Sequence, residues 1–337
     1  MDYFYLILGI IITFWAFLEG LWTTIWVDGG SAPLTGRLTT WIWRGMRAII
    51  PQRNHRTLSL AGPTILTTTI LVWIIMIWIG WSLIFYSAPG SLNDTSDKTV
   101  PDFIGHMWYV AYTMFTVGNG DFAPTSDTWQ FLSSLIAFGG MTMVTLSVTY
   151  VLQVLSALVT KRAFAAQVTS IASSSEEFVI DQWTGKDFGA IELQLNTFSS
   201  LLSTLSEQHL AYPILHYYHA AQPSKANAVA VVILDEALTI IEHGIKEENQ
   251  PAQTILKSTR QSIRSYLNTL RAAFISASDD LPPVPKFRSL KEKGLPVVEE
   301  QKFHNKLEEL KDRRKLLLGL IQNDAWYWPP IKQSQNG

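Results

Sequence analysis

The chain has 337 residues, of which 47% are apolar and 16% charged, with 13 Trp, no Cys and a formal net charge of −2. That length admits two or three domains. The near-neutral balance argues against a dedicated nucleic-acid binder, and the lack of Cys excludes a disulfide framework or a thiolate metal or redox site. The averages conceal a division. Residues 1–165 hold 16 of the 54 Asp, Glu, Lys and Arg and ten of the 13 Trp, so an apolar half precedes a water-soluble one.

Three runs are long enough to cross a bilayer, which takes about 20 apolar residues. Tyr3–Trp26 carries one charge, Glu19; Pro63–Tyr86 carries none; Trp129–Thr160 carries none and ends at Lys161 and Arg162. The first run lacks the basic start and the small-residue cleavage site of a signal peptide, so it reads as a retained span. Its single Glu19 is expected to snorkel toward the interface instead of pairing with a loop Arg.

Between the first two spans lie Arg37, Arg44, Arg47, Arg53 and Arg56, whereas the loop before the third holds only Lys98 against Asp94, Asp97 and Asp102. The positive-inside rule therefore places the first loop and everything after residue 161 in the cytoplasm, with the N-terminus and residues 88–102 outside. The expected location is the plasma (cell) membrane, multi-pass. Leu38, Trp41, Ile42 and Ile49 share one helical face and Arg37, Arg44 and Arg47 another, the pattern of a short helix at the lipid interface; an ordinary basic loop gives the same composition. Asn93-Asp94-Thr95 is a formal glycosylation sequon.

Residues 103–127 are moderately apolar but too short and interrupted to span. Phe103–Phe115 makes a helix of about 20 Å, which enters a membrane without crossing it. Thr116-Val117-Gly118-Asn119-Gly120-Asp121 follows. Such backbone cannot face lipid, because each unpaired N–H or C=O costs several kcal/mol, so it belongs inside protein or beside water. The two glycines accept left-handed angles and let successive carbonyls face one axis, where they replace an ion's water shell.

The stretch Met107-Trp108-Tyr109, Thr113, Thr116–Asp121 and Pro124 resembles the pore loop of tetrameric potassium and related cation channels, whose filter usually reads Thr-Val-Gly-Tyr-Gly-Asp. The resemblance covers residues 63–160, and Gly139-Gly140 stands about where that family places its inner-helix hinge. It implies that Thr116, Val117 and Gly118 supply K+-binding oxygens, with Asn119 and Gly120 completing the filter. Asp121, with Trp108 and Tyr112 behind it, would support the outer end. Gly139 and Gly140 would serve as a hinge or a close-packing site, and Val144, Val148 and Leu152, spaced four apart, would line the cavity or pack against helices. Two departures keep selectivity open between potassium alone and a non-selective K+/Na+ pore. Asn119 replaces the usual aromatic, and Tyr112 stands where some members place a Glu that pairs with the filter Asp. Phe115 also replaces a common Thr. One loop cannot encircle an ion, so the resemblance implies a homotetramer. The added first span has no regular Arg series and is not a voltage sensor of the usual kind.

Helical periodicity continues over residues 188–210, 224–248 and 252–277, punctuated by Pro213, Pro223 and Pro251. Ala228–Leu234 is strand-compatible but runs on into a helical pattern. Residues 279–301, with Pro282, Pro283, Pro285 and Pro296, read as an exposed linker, and a charged helix follows with Phe303, Leu307, Leu310, Leu317 and Ile321 on a stripe interrupted by Arg314. His209, His216 and His219 lack acidic partners at matching spacing and read as structural, not as metal ligands. Trp326-Tyr327-Trp328-Pro329-Pro330 reads as a partner-binding tail or as aromatics packed on the bundle. No nucleotide-binding Gly-x-Gly-x-x-Gly, P-loop or EF-hand is present.

The expected fold is an all-α membrane protein: three transmembrane helices with a re-entrant pore helix and filter before the last, plus a cytoplasmic α-helical domain. Its divisions fall at 1–62, 63–165 (the pore domain), 166–278, 279–301 (the linker) and 302–337. The expected function is passive monovalent cation conduction, potassium first, gated or assembled by the cytoplasmic domain. It needs no enzyme activity and no cofactor besides permeant K+. Its partners are other copies of the chain, the lipid bilayer and an unknown cytoplasmic ligand or protein, but no nucleic acid. A non-conducting membrane sensor or scaffold is the alternative of another class.

Overall fold

A computed structural model describes residues 1–51, 54–189 and 191–330; Arg53 of the basic loop and the end of the C-terminal tail lie outside them. The described residues are mostly helical. In chain order they form α1 (Tyr3–Ile25), α2 (Pro33–Ile49), α3 (His55–Leu58), α4 (Ala61–Tyr86), β1 (Leu92–Asp94), α5 (Phe103–Met114), β2 (Phe122–Pro124) and α6 (Asp127–Ile171). Then come α7 (Ser175–Asp181), α8 (Ile191–Ala211), α9 (Asn227–Gly244), α10 (Gln253–Ala273), α11 (Phe287–Glu292), α12 (Glu300–Glu309) and α13 (Lys311–Asn323). Three helices are long and apolar enough to cross a membrane: α1, the run His55–Tyr86 that includes α4, and α6. The chain divides into two compact units, one of residues 1–43 and 63–154, the other of 44–62 and 155–337. The expected boundaries at 62 and 165 shift accordingly. The segment 44–62 joins the second unit, and α6 is shared by both.

In the first unit α1 and α4 approach through small residues. A Cβ added at Gly9 would lie 2.6 Å from the Gly80 carbonyl oxygen and 2.8 Å from Ile84 Cγ1, so only glycine permits this crossing. Glu19 does not snorkel. It is 1% exposed, and its carboxylate accepts from the backbone N–H of Leu34 (2.8 Å) and Thr35 (3.0 Å) and from the Thr35 hydroxyl (3.0 Å). A helix N-terminus leaves amide donors without partners and carries a partial positive charge. The first turn of α2 supplies both, which is why a lone carboxylate in an apolar helix turns inward here. Helix α2 buries Thr35, Thr39 and Trp43, while Trp41 and Ile49 stay exposed.

The second unit is built around α9, which is buried on every side from Asn227 to Ile241, the pattern of a central helix. Its strand-compatible start is helical. Helices α8 and α10 pack side by side, with Ser199 and Ser262 hydroxyls 2.7 Å apart and Ser206 and Thr269 2.9 Å apart. Residues 279–301 are not a free linker. They carry α11, and Phe287, Leu290 and Leu295 enter the same core as α9. The charged C-terminal stripe forms two helices, α12 and α13, that bury Phe303, Leu307, Leu317 and Ile321. Arg314, which interrupts the stripe, is 4% exposed and makes a two-pronged pair with Glu236 of α9, at 2.9 and 3.0 Å. Burial pushes the Glu236 carboxyl up despite that guanidinium. On neighbouring Asp235 burial also acts upward, but Arg260 and Arg313 together outweigh it and hold the carboxyl below the usual range.

Candidate functional site

Helix α5 starts where Asp102 caps it, its carboxylate accepting from the Gly105 N–H at 2.8 Å, and Pro101 precedes the cap. Its inner face, including His106, Tyr109, Tyr112 and Met114, packs into the first unit's core. Polar contacts fix its rotation. The Trp78 indole donates to the Met107 carbonyl at 2.8 Å, His106 Nε2 meets the Ser91 hydroxyl at 3.2 Å, and the Tyr109 hydroxyl meets that of Ser133.

Past Met114 the chain leaves the helix without leaving its support. The Thr116 N–H donates to the Thr113 carbonyl (3.1 Å) and the Val117 N–H to that of Tyr112 (2.8 Å). Then φ is positive at every second residue: +56° at Thr116, +66° at Gly118 and +84° at Gly120, with Val117 and Asn119 between them on the ordinary side. In a strand successive carbonyls point to opposite sides; alternating the hand of the backbone turns them to one side. Nothing lies within 4 Å of a Cβ built on Gly118 or Gly120, so backbone conformation, not crowding, is what glycine satisfies there. Thr116 adopts the left-handed region without being glycine, at about 1–3 kcal/mol that the surrounding structure offsets. Residues 115–121 are all exposed within a single chain.

Trp108, Asn119 and Asp121 come together at the far end. The Trp108 indole donates to Asp121 Oδ2 at 3.2 Å, and the Asn119 amide donates to the same oxygen. The Tyr112 hydroxyl donates to the Phe122 carbonyl (3.1 Å) and accepts the Phe122 N–H (3.3 Å). Tyr112 therefore supports the residue after Asp121. Sequence reasoning missed Thr95, whose hydroxyl donates to the carbonyls of Gly120 (3.1 Å) and Asp121 (3.0 Å) and whose N–H donates to Asp121 (2.9 Å). Strands β1 and β2 pair antiparallel, with Asp94 opposite Phe122, and so bring Thr95 there. The only signal was the triplet Asn93-Asp94-Thr95, which reads as a sequon.

On α6, Gly140 meets the end of α5. A Cβ added there would lie 2.5 Å from Met114 Cγ and closer still to the Met114 carbonyl oxygen, while one on Gly139 would lie 2.8 Å from the Phe17 ring. Both glycines are thus sites of close approach inside an unbroken helix. Val144, Val148 and Leu152 are 40%, 55% and 61% exposed, an apolar face that their own chain leaves uncovered.

The histidines of the second unit have partners. His219 lies 3.2 Å from Asp324 and 3.0 Å from His55, and Trp326 stacks on His55 with ring centroids 3.8 Å apart. Burial outweighs the nearby Asp324 and pushes His216 down to about 4, and burial with Lys161 pushes His209 well below the usual range. Asp324 is the acidic partner that spacing did not reveal. Among the described residues no group of three or more His, Asp or Glu is placed to hold a metal ion.

Comparison with known proteins adds two findings. A family model described as "Ion channel" matches residues 68–157, from α4 through the alternating segment to α6. A Bacillus subtilis (strain 168) protein described as the uncharacterized membrane protein YdjJ is 40% identical over 330 residues, 98% of this chain and 96% of that one. No solved structure matches the chain.

Proposed function

This chain belongs to the family of that Bacillus membrane protein and carries an ion-channel segment, and on that premise we propose that it is a passive monovalent cation channel formed by four copies around one axis. The observation that carries the reading is the alternation of φ at Thr116, Gly118 and Gly120 on a segment that a single chain leaves exposed. Four such segments facing an axis make stacked rings of carbonyls that replace the water shell of a dehydrated cation. Thr116, Val117 and Gly118 supply the inner K+ sites, and Asn119 and Gly120 complete the filter. Trp108, Asn119 and Thr95 hold Asp121 and the outer carbonyls so that the rings keep their diameter.

Four copies also cover what one leaves bare. Val144, Val148 and Leu152 face the cavity or a neighbouring α6, and the apolar outer faces of α1 and α4 meet lipid. Arg37 and Arg44 of α2 stay near the cytoplasmic headgroups. The N-terminus lies outside the cell, α5 enters the membrane from that side without crossing, and the second unit is cytoplasmic. Because α6 is shared by both units, the second unit assembles or gates the pore. Potassium is the main permeant ion. A K+/Na+ pore is the second reading, and Asn119 favours it: its amide binds Asp121 where the resembling channels place an aromatic ring.

The test is cation flux into liposomes holding purified protein, wild type against Gly118→Leu, with the mass of each assembly measured in detergent. Gly118 has φ +66°, so Leu distorts the carbonyl row and also narrows the axis. The proposal expects a tetramer in both cases, with flux only from the wild type. Equal flux from Gly118→Leu, or a conducting monomer, contradicts it.

A further inference from the structure

A cleft of about 480 Å³ opens in the second unit between α9, α10 and the α12–α13 junction. Lys257, Arg260 and Arg264 line it from one face of α10, being three and four residues apart. Arg313 of α13 and Glu242 of α9 face them. Behind the lining sits Asp235, 1% exposed, shared by two guanidiniums: it accepts from Arg260 Nη1 at 2.9 Å and from Arg313 Nε at 3.0 Å. Arg260 Nη2 also donates to Glu242 at 2.6 Å.

These four groups neutralise one another, and a buried ion network of this kind is seldom the most stabilising way to fill a core. What it does that apolar residues cannot is hold two guanidinium planes in fixed positions at the edge of a cleft. The lining's other carboxylate, Glu309, is taken by Lys306 at 2.7 Å. Lys257 and Arg264 then remain as surplus positive charge, both exposed. Leu310 is the one aliphatic side chain in the lining, so the cleft offers no anchor for an acyl chain or an apolar peptide. Its volume falls within the range of small-molecule sites, about 300–1,000 Å³, and the exposed Arg264 fork beside Lys257 matches phosphoryl oxygens.

We propose that this cleft binds a phosphate-bearing ligand, a soluble polyphosphorylated solute or a phosphorylated lipid headgroup, through Lys257 and Arg264, beside the guanidiniums of Arg260 and Arg313 that Asp235 holds in place. The assignment is independent of ion conduction.

The experiment titrates full-length protein with inorganic tripolyphosphate by calorimetry, in nanodiscs of neutral lipid, with citrate at equal ionic strength as control. A parallel arm titrates vesicles containing phosphatidic acid against detergent-solubilised protein. Lys257→Gln/Arg264→Gln is the test variant, since both side chains are exposed and their loss leaves the core intact. Arg271→Gln, exposed on the same helix, is the control. Saturable binding of tripolyphosphate that weakens about tenfold or more in the double variant, but not in Arg271→Gln, supports the site and a soluble source. The same pattern with vesicles alone supports the site and a headgroup source. The proposal is overturned if neither probe binds, if citrate binds as well, or if the double variant binds like wild type.

Discussion

Replacing Gly140 by Ala distinguishes a packing role from a purely hinging one. The added methyl would sit 2.5 Å from Met114 Cγ and nearer still to the Met114 carbonyl oxygen, where real Cβ contacts essentially never come under 3.0 Å. The Met114 side chain can turn away; its carbonyl cannot, because it belongs to the end of α5. Either α6 or the end of α5 must therefore shift by about half an ångström or more, and overpacking of this kind costs about 1–3 kcal/mol. Two residues on, Thr116 begins the alternating segment, so the shift passes into the carbonyl row. We expect Gly140→Ala to lower the melting temperature in detergent by several degrees and to reduce flux in liposomes. Gly139→Ala meets only the Phe17 ring, which can swing, and should cost under about 1 kcal/mol. If Gly140→Ala melts with the wild type while its flux falls, the glycine acts as a hinge and not as a packing site. If Gly139→Ala is the more damaging of the two, the Gly140–Met114 contact is not the tighter one.

Two further outcomes follow from buried polar groups. Glu19→Ala leaves the Leu34 and Thr35 donors without an acceptor and should destabilise the protein by about 2–4 kcal/mol, with Glu19→Gln costing about half as much because one amide oxygen remains; thermal unfolding of all three forms checks this, and two variants indistinguishable from wild type would remove the capping role. Acidification should destabilise the second unit between about pH 6.5 and 4. His216 is held neutral down to about 4 in the fold, whereas in the unfolded chain it takes up a proton near 6.5, so the unfolded state binds more protons and stability falls with pH by roughly 3 kcal/mol across the window. Melting curves from pH 7.5 to 4.5 should therefore slope downward, less steeply in His216→Gln; a flat wild-type profile would contradict the assignment.

The sequence revealed what is local. Three long apolar runs marked the three helices long and apolar enough to cross a membrane, and a six-residue pattern marked Thr116–Asp121, where the structure has its alternating backbone. It concealed contacts between distant residues. Glu19 read as a snorkelling charge because its partners at Leu34 and Thr35 lie about four helical turns away along the chain. Thr95 reaches the carbonyls of Gly120 and Asp121 only because the short strands β1 and β2 pair, and neither is long enough to show alternation. His219 seemed to lack an acidic partner because Asp324 lies 105 residues further on. Prolines at 282, 283, 285 and 296 read as a free linker, yet Phe287, Leu290 and Leu295 between them dock in the core. Proline excludes long helices without preventing burial.

Conduction through a carbonyl filter is read out by the reversal potential of purified protein in a planar bilayer with potassium on one side and sodium on the other. The current should reverse on the side favouring potassium, and the reversal should move further that way when Asn119→Tyr restores the aromatic ring of the resembling channels. A protein that inserts and assembles but passes no monovalent cation current in either direction would contradict it.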